Sequence, residues 1–274
     1  MTTPKRLENW DAGGIYESYV GRWSRLVAAE FVPWLGVSPR GRWLDVGCGT
    51  GALSQSILRV AEPAAVSGVD KSAAFVAYAR QQVSDDRVTF QVGDAVSLPV
   101  ERDHYDAAVS GLCLNFVPDH LRMVQEMTQA VRPGGTVAVY VWDYADQMQL
   151  MRYFWDAVVA LNAGALELDE SRRFPICQPE PLAALWRSAG LEQVSTRSID
   201  IPTQFRDFDD YWTPFLGGQG TAPTYVQALD AKARDQLRDS ARLSARAAPN
   251  RGGWLHQSDR AGVGRARRPN CQKT

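Results

Sequence analysis

Cysteine and histidine are scarce in this chain, which has four cysteines and three histidines among 274 residues. The cysteines, at positions 48, 113, 177 and 271, form no Cys-x-x-Cys pair, and too few histidines are present to complete a ligand set. Zinc sites and disulfide frameworks need such residues at close, regular spacing. The sequence therefore predicts neither a metal site nor a fold held together by disulfides.

Long apolar runs are missing as well. No stretch approaches the roughly 20 consecutive apolar residues that cross a bilayer. Residues 1–10 lack the apolar core that a secretory signal requires. We therefore expect a cytoplasmic protein without a membrane span.

Neither sign of charge dominates the chain, because 30 Lys and Arg stand against 31 Asp and Glu. The balance is uneven along the sequence. Residues 246–274 hold seven basic residues and one acid, so the net charge of −1 divides into +6 there and −7 over residues 1–245. An acidic body argues against a nucleic-acid substrate, whose phosphates need a basic surface. We expect a small-molecule substrate, and the sequence gives no oligomeric state.

What the sequence does contain is a regular alternation of strand and helix patterns. Short apolar runs alternate with helical segments, and they predict strands at 42–46, 65–70, 87–92, 105–110 and 136–142, with a sixth at 191–201. Such alternation is typical of an α/β fold with a doubly wound, mostly parallel, Rossmann-like sheet and helices on both faces.

Around this sheet we expect four segments. Residues 1–36 form a helical cover, 37–145 the cofactor-binding core, and 146–245 the remaining core elements with an inserted helical and aromatic lid. The lid is predicted from five aromatic residues, for which internal packing is the alternative: Phe205, Phe208, Tyr211, Trp212 and Phe215. Residues 246–274 lack an apolar period and are expected to be a disordered basic tail, so a seventh strand is not evident.

Three glycines at alternate positions, Gly47, Gly49 and Gly51, follow the first predicted strand and precede a helical segment. Glycine permits positive φ and removes the Cβ that would block a ligand, so the turn is predicted to hold a nucleotide cofactor. The same pattern fits an NAD-binding turn, and a carboxylate such as Asp70 suits the ribose of NAD or of S-adenosylmethionine. Asp94, after the third strand, suits the adenine amine of a single adenosine and favours S-adenosylmethionine.

With these residues in view, the chain resembles the class I S-adenosylmethionine-dependent methyltransferases, especially small-molecule enzymes similar to the ubiquinone and menaquinone C-methyltransferases. The resemblance covers residues 15–142 and rests on five short motifs: Leu-Asp-Val-Gly-Cys-Gly-Thr-Gly from position 44, Val-Asp from 69, Val-Gly-Asp-Ala from 92, Tyr-Asp from 105 and Arg-Pro-Gly-Gly from 132. It implies a seven-stranded sheet and the methyltransferase type 11 or 25 domain.

The resemblance also implies a set of site residues. Asp45, Gly47, Gly49 and Gly51 would surround the methionine moiety, Asp70 with Lys71 beside it would bind the ribose, and Asp94 with the Ala95 amide would meet the adenine. Asn115 and Val117, just past the fourth strand, would face the cofactor or the acceptor.

The acceptor side is predicted less fully. Asp143 and Tyr144 follow the fifth strand at the ligand-facing edge, and Tyr19 belongs to an aromatic group in the N-terminal helices. None of the three histidines has the position of a general base, so no catalytic residue is assigned. Three functions stay open: methyl transfer to a small molecule, NAD-dependent oxidoreduction, and binding of S-adenosylmethionine without catalysis.

Overall fold

The computed structural model describes residues 21–217, 220–247 and 255–269. The strands are β1 (Arg42–Val46), β2 (Ala65–Asp70), β3 (Val88–Val92), β4 (Tyr105–Gly111), β5 (Val131–Trp142), β6 (Glu192–Phe205) and β7 (Leu255–Arg267). The α-helices are α1 (Arg22–Trp34), α2 (Ala52–Val60), α3 (Ala73–Gln82), α4 (His120–Ala130), α5 (Gln149–Leu161), α6 (Glu170–Arg173), α7 (Pro179–Ser188), α8 (Phe208–Trp212), α9 (Thr221–Ala228) and α10 (Ala231–Ala247). Short 3₁₀ helices occupy Leu114–Phe116, Ala163–Leu168, Pro175–Cys177 and Thr213–Leu216.

The strands form one seven-stranded sheet in the order β3-β2-β1-β4-β5-β7-β6. Strands β1 to β5 pair in parallel, and β7 runs antiparallel to β5. The α/β, mostly parallel prediction is therefore confirmed. The chain order reverses between β1 and β4, and ligands of such sheets bind outside the carboxyl ends of the strands at that point.

The seventh strand contradicts the predicted disordered tail and the predicted gap in the sheet. Strand β7 pairs with β5 from Thr136↔Arg267 to Trp142↔Ala261. The sequence did not indicate this strand because it contains few large apolar residues and several arginines. In the fold, two of these arginines donate hydrogen bonds to main-chain carbonyls. Arg265 donates to the carbonyl of Trp34 with its guanidinium 4.4 Å from that ring, and Arg267 Nη1 donates to Gly134 O at 3.3 Å.

The aromatic stretch after the sixth strand differs in part from the predicted lid. Residues 202–205 continue β6, and the five aromatic side chains of 205–215 are buried. Their rings contact one another and α5: Phe215 stacks on Phe154 with centroids 4.5 Å apart, and the Tyr211 hydroxyl donates to Leu150 O at 3.1 Å. Internal packing, the alternative to a lid lining, accounts for these rings.

The chain divides into two compact units. The sheet unit comprises Trp23–Trp142, Ile176–Ile199 and Ala261–Thr274 and so includes most of helix α1. The predicted division at residues 36, 145 and 245 stays a prediction. The second unit comprises Met1–Arg22, Asp143–Pro175 and Asp200–Arg260. Inside the second unit, a buried ion pair joins Arg152 to Asp169 at 2.6 Å. Nowhere in the described residues is a helix both long and apolar enough to cross a membrane.

Removing β7 should unfold the protein, because β7 lies between β5 and β6 and both would lose a hydrogen-bonded neighbour. We expect a chain that ends at residue 254 to lose its cooperative thermal transition, since the lost hydrogen bonds, at about 0.5–1.5 kcal/mol each, are together comparable with the total stability of about 5–15 kcal/mol that domains have. A chain that ends at Pro269 keeps the whole strand and serves as the control. Differential scanning calorimetry of both truncations is the measurement, and equal melting temperatures would contradict the pairing of β7.

Candidate functional site

The glycine turn between β1 and α2 needs glycine for two different reasons. Gly47, Gly49 and Gly51 have φ of 72°, 51° and 86°, which side chains rarely adopt. A Cβ on Gly47 would lie 2.2 Å from Cys113 Sγ, so this residue must also be small to accommodate the loop after β4. A Cβ on Gly49 would meet nothing within 4 Å. Gly49 therefore leaves open space on the turn, where a ligand can approach the backbone.

Most amide groups of this turn donate hydrogen bonds to acceptors within the protein. Four of them have main-chain or carboxylate acceptors: Gly47 and Cys48 donate to Val69 O at 2.8 and 3.1 Å, Gly49 to Asp70 Oδ2 at 2.9 Å, and Gly51 to Cys48 O at 2.8 Å. A pyrophosphate cradle instead directs such amides at the phosphates. The bonding of this turn therefore suits a cofactor without a phosphate here.

Asp70, the last residue of β2, is fixed by two backbone donors. Gly49 N donates to its Oδ2 at 2.9 Å and Ser72 N to its Oδ1 at 2.8 Å. Burial raises the pKa of Asp70, and these two hydrogen bonds oppose the rise. Each oxygen of an ionised carboxylate can accept two hydrogen bonds, so each retains one position for a ligand hydroxyl.

Asp94 follows β3 in the next turn, where Gly93 N donates to Asp70 O at 3.0 Å and so holds the two turns together. Its Oδ2 pairs with Lys71 Nζ at 2.9 Å, which lowers the pKa of Asp94. The Lys71 side chain is 80% exposed and that of Asp94 41%, so the pair is weak and a ligand can compete with it. Ala95, beside Asp94, is half-buried.

Asp45 lies near the end of β1, two residues before the turn, and is fully buried. Ser54 Oγ, on α2, donates to Asp45 Oδ2 at 2.6 Å, whereas Oδ1 has no hydrogen-bond partner within the described part of the chain. Burial raises the pKa of Asp45 to about 7, against the hydrogen bonds from Ser54. At neutral pH this carboxyl is therefore close to its titration midpoint.

Asn115 and Val117 lie where the sequence places them, just past β4. Asn115 belongs to the 3₁₀ helix Leu114–Phe116 and is buried, and its Nδ2 has no partner among the residues described. Val117, which ends that helix, is half-buried. Sequence reasoning missed Cys113, whose thiol contacts Gly47; burial raises its pKa to about 12, so it packs rather than reacts.

The other predicted acceptor residues belong to the second unit or lie outside the described residues. Asp143 Oδ1 accepts a hydrogen bond from Asp146 N at 3.2 Å, and the buried Tyr144 ring lies 5.7 Å from that of Phe174. Both residues belong to the second unit, so their role toward an acceptor stays a prediction. Tyr19 lies outside the described residues.

The histidines whose side chains are described do not supply a base at the turn. His104 precedes β4, at the opposite end of the strand from the turn, and its Nδ1 pairs with Glu101 at 3.0 Å. His120 begins α4, where burial lowers its pKa. The side chain of His256 lies outside the described part.

Comparison with known proteins places this site in a family context. Residues 44–139 match the family described as a methyltransferase domain. The chain is 30% identical over 175 residues to the demethylmenaquinone methyltransferase of Roseiflexus castenholzii, covering 59% of this chain and 72% of that protein. It is 34% identical over 122 residues to the 2-phytyl-1,4-naphtoquinone methyltransferase of Synechococcus elongatus, covering 43% and 51% respectively.

Solved structures agree on the fold. The Haemonchus contortus phosphoethanolamine N-methyltransferase 2, in complex with phosphomonomethylethanolamine and S-adenosylhomocysteine, superposes with a TM-score of 0.59 at 18% identity. The match covers 94% of this chain and 57% of that one. The sequence relatives are methyltransferases and favour neither NAD chemistry nor binding without catalysis. The chain therefore belongs to the class I S-adenosylmethionine-dependent methyltransferases and transfers methyl groups to a small-molecule acceptor.

Proposed function

We propose that this chain binds S-adenosylmethionine across the carboxyl ends of β3, β2 and β1 and methylates a reduced naphthoquinone. The observation that carries the cofactor site is Asp70, whose carboxylate is fixed by the amides of Gly49 and Ser72 and retains one acceptor position on each oxygen. Two free positions on one rigid carboxylate fit the two hydroxyls of a ribose.

The adenine would lie toward β3, the neighbour of β2 in the sheet. Asp94 Oδ1 accepts from Val96 N at 3.2 Å, and Oδ2 is paired with an exposed lysine, so Oδ2 can accept a hydrogen bond from the adenine amine while Lys71 moves aside. The amide of Ala95 would donate to a ring nitrogen. Lys71 then lies beside the ribose, as the family resemblance implies.

The methionine moiety would lie toward β1, over the glycine turn. Asp45 offers Oδ1, a buried carboxyl oxygen without a partner among the described residues, to the α-ammonium. The space left by Gly49 would admit the chain of the methionine. Gly47 and Gly51 support the turn through their positive φ angles.

When bound, the cofactor would supply a methyl group on a sulfonium, and its sulfur would be released as a neutral thioether. This chain has to align the acceptor with that methyl and exclude water, and positioning alone contributes about 7–11 kcal/mol to such reactions. The acceptor would gain the methyl group and release one proton. A group that is already acidic releases this proton without a strong protein base.

The acceptor class follows from the relatives and from this chemistry. Two relatives are named for demethylmenaquinone and 2-phytyl-1,4-naphtoquinone. A quinone ring is itself electrophilic, whereas its reduced form is an electron-rich phenol that can attack a methyl cation equivalent. We therefore infer a reduced naphthoquinone as acceptor. The cytoplasmic location of the protein stays a prediction from the sequence.

Turnover with a panel of acceptors tests this function. We expect S-adenosylhomocysteine to accumulate, by mass spectrometry, with a reduced demethylated naphthoquinone and much more slowly with simple phenols and amines. The oxidised quinone under the same conditions is the control. Equal rates with amines would contradict a naphthoquinone acceptor. Oxidation of NADH without formation of S-adenosylhomocysteine would contradict methyl transfer.

Replacing Asp70 should weaken cofactor binding. We expect Asp70→Ala to reduce the affinity for S-adenosylhomocysteine at least about tenfold, because hydrogen bonds to a charged group contribute about 1.5–3 kcal/mol each. Isothermal titration calorimetry is the measurement, and Asp86→Ala, which removes an exposed carboxylate outside the site, is the matched control. Unchanged affinity in Asp70→Ala would remove Asp70 from the site.

Cofactor binding should also depend on pH through Asp45. The carboxyl has a pKa of about 7 in the free chain and must be ionised to pair with an ammonium, so binding releases its proton. We expect the affinity for S-adenosylhomocysteine to rise by up to about tenfold per pH unit as pH increases from 5.5 to 7, and then to level off. Calorimetry of wild type and Asp45→Asn checks this, since the variant cannot titrate. The same pH dependence in both proteins would assign it to another group.

A further inference from the structure

Three arginines from neighbouring strands come together on one face of the sheet unit. Arg197 lies on β6, and Arg265 and Arg267 lie on β7, where they are in register with Ala138 and Thr136 of β5. Because Arg265 and Arg267 are alternate residues of one strand, their side chains leave the same face of the sheet about 7 Å apart. Arg197 is exposed and the other two are half-buried. We call these three residues the arginine cluster.

The ring of Trp34, the last residue of α1, brings two members of the cluster close together. The Arg265 guanidinium lies 4.4 Å from the ring centroid and the Arg197 guanidinium 5.1 Å from it. Two charges that contact one ring are closer together than the Debye length of about 10 Å in 0.1 M salt, so they repel each other. Burial, together with the positive charges of Arg267 and Arg197, lowers the pKa of Arg265.

Main-chain carbonyls hold the cluster in place without neutralising it. Each guanidinium donates to one carbonyl: Arg265 to that of Trp34, Arg197 Nη2 to that of Glu30 at 3.3 Å, and Arg267 Nη1 to that of Gly134 at 3.3 Å. Two of these carbonyls lie near the carboxyl end of α1, and a helix end carries about half a negative charge. Capping of α1 is therefore one use of the arginines, but it leaves most of their positive charge uncompensated.

Carboxylates are missing around the cluster. Within the described part of the chain, no Asp or Glu forms an ion pair with any of the three arginines. Two other arginines on the strands of the same region are paired: Arg132 with Asp106 and Arg268 with Asp103. The contrast with Arg268, the residue directly after Arg267, indicates that the cluster is left without acids while its neighbours are neutralised.

The chemistry of the cluster suits an anion that carries several negative charges in a small volume. A guanidinium has five N–H donors in a planar fork, so each member retains donors that can bind phosphate oxygens bidentately. A carboxylate would offset one of the three charges and a single phosphate about two, whereas a diphosphate can offset all three. We propose that the arginine cluster around Trp34 is a second ligand site of this protein, and that it binds a diphosphate group.

The proposed site is separate from the cofactor edge of the sheet. Arg265 is in register with Ala138, four residues before β5 ends at Trp142. At about 3.4 Å per residue, this register position is about 14 Å from the carboxyl edge of the strand. A ligand on the cluster therefore leaves the cofactor edge open. A bilayer bound here through its phosphates would meet the part of the sheet remote from that edge, which favours a soluble diphosphate as the ligand.

Isothermal titration of the full chain with sodium pyrophosphate tests the site, in buffer without divalent cations and at constant ionic strength. We expect Arg197→Gln and Arg267→Gln each to weaken binding about tenfold, through loss of a charge-assisted contact. Arg197→Lys keeps the charge but not the planar fork, so its affinity should lie between those of wild type and Arg197→Gln.

The matched control is Arg87→Gln, which removes the same charge from an arginine paired with Asp85. It should bind pyrophosphate within about twofold of wild type. Melting temperatures without ligand verify that each variant is folded, and exposed Arg197 carries the test if the Arg267 variant is not. The affinity for S-adenosylhomocysteine should be the same in wild type and Arg197→Gln, so this site and the proposed cofactor site succeed or fail separately.

Uridine diphosphate identifies the source of the group, and it replaces adenosine diphosphate because the proposed cofactor site would itself take an adenosine. Binding of both compounds assigns the site to a soluble molecule that carries a diphosphate, and binding of pyrophosphate without uridine diphosphate assigns it to the free anion. Three results would overturn the proposal. They are no binding of pyrophosphate by wild type, equal affinity in wild type and Arg197→Gln, and binding only of polyglutamate or of phosphatidylglycerol vesicles.

Discussion

The hydrogen bond from the amide of Gly49 to the carboxylate of Asp70, at 2.9 Å, connects the glycine turn to the acid on which the proposed cofactor site depends. It joins the turn after β1 to the end of β2, and its donor, Gly49, has a φ of 51°. The same carboxylate accepts from Ser72, which in turn caps α3 by accepting from Phe75 N at 3.2 Å. Turn, carboxylate and helix are therefore positioned as one unit before any ligand arrives, so little ordering cost falls on binding.

Much of this arrangement could be predicted from the sequence, because its causes are local. Buried parallel strands have continuous apolar runs, and all five predicted parallel strands are confirmed. Alternate glycines predict a turn with positive φ, and 47, 49 and 51 have it. Strand β7 could not be predicted in this way, because it is defined by its pairing with β5 and by arginines that bond distant carbonyls.

The chemistry of individual groups at the site also required the structure. Sequence spacing identifies Asp45 as a strand-end acid but not that it is fully buried, with a pKa of about 7. Sequence spacing also does not predict that the Cys113 thiol packs against Gly47. Nor does it predict that Asn115 Nδ2 has no hydrogen-bond partner among the described residues. These properties arise from contacts between β1, β4 and their loops, which are remote in sequence. From sequence, the glycine turn fits any nucleotide cofactor. In the structure most of its amide groups donate hydrogen bonds within the protein, which distinguishes it from a pyrophosphate-binding turn.

A crystal structure of the chain with S-adenosylhomocysteine tests most directly whether a single adenosine lies across the ends of β2 and β3, with its ribose on Asp70. We expect both ribose hydroxyls within about 3 Å of the Asp70 carboxylate oxygens, the usual hydrogen-bond distance, and the adenine beside Asp94. A ribose turned away from Asp70, or density for the ligand at another edge of the sheet, would contradict it.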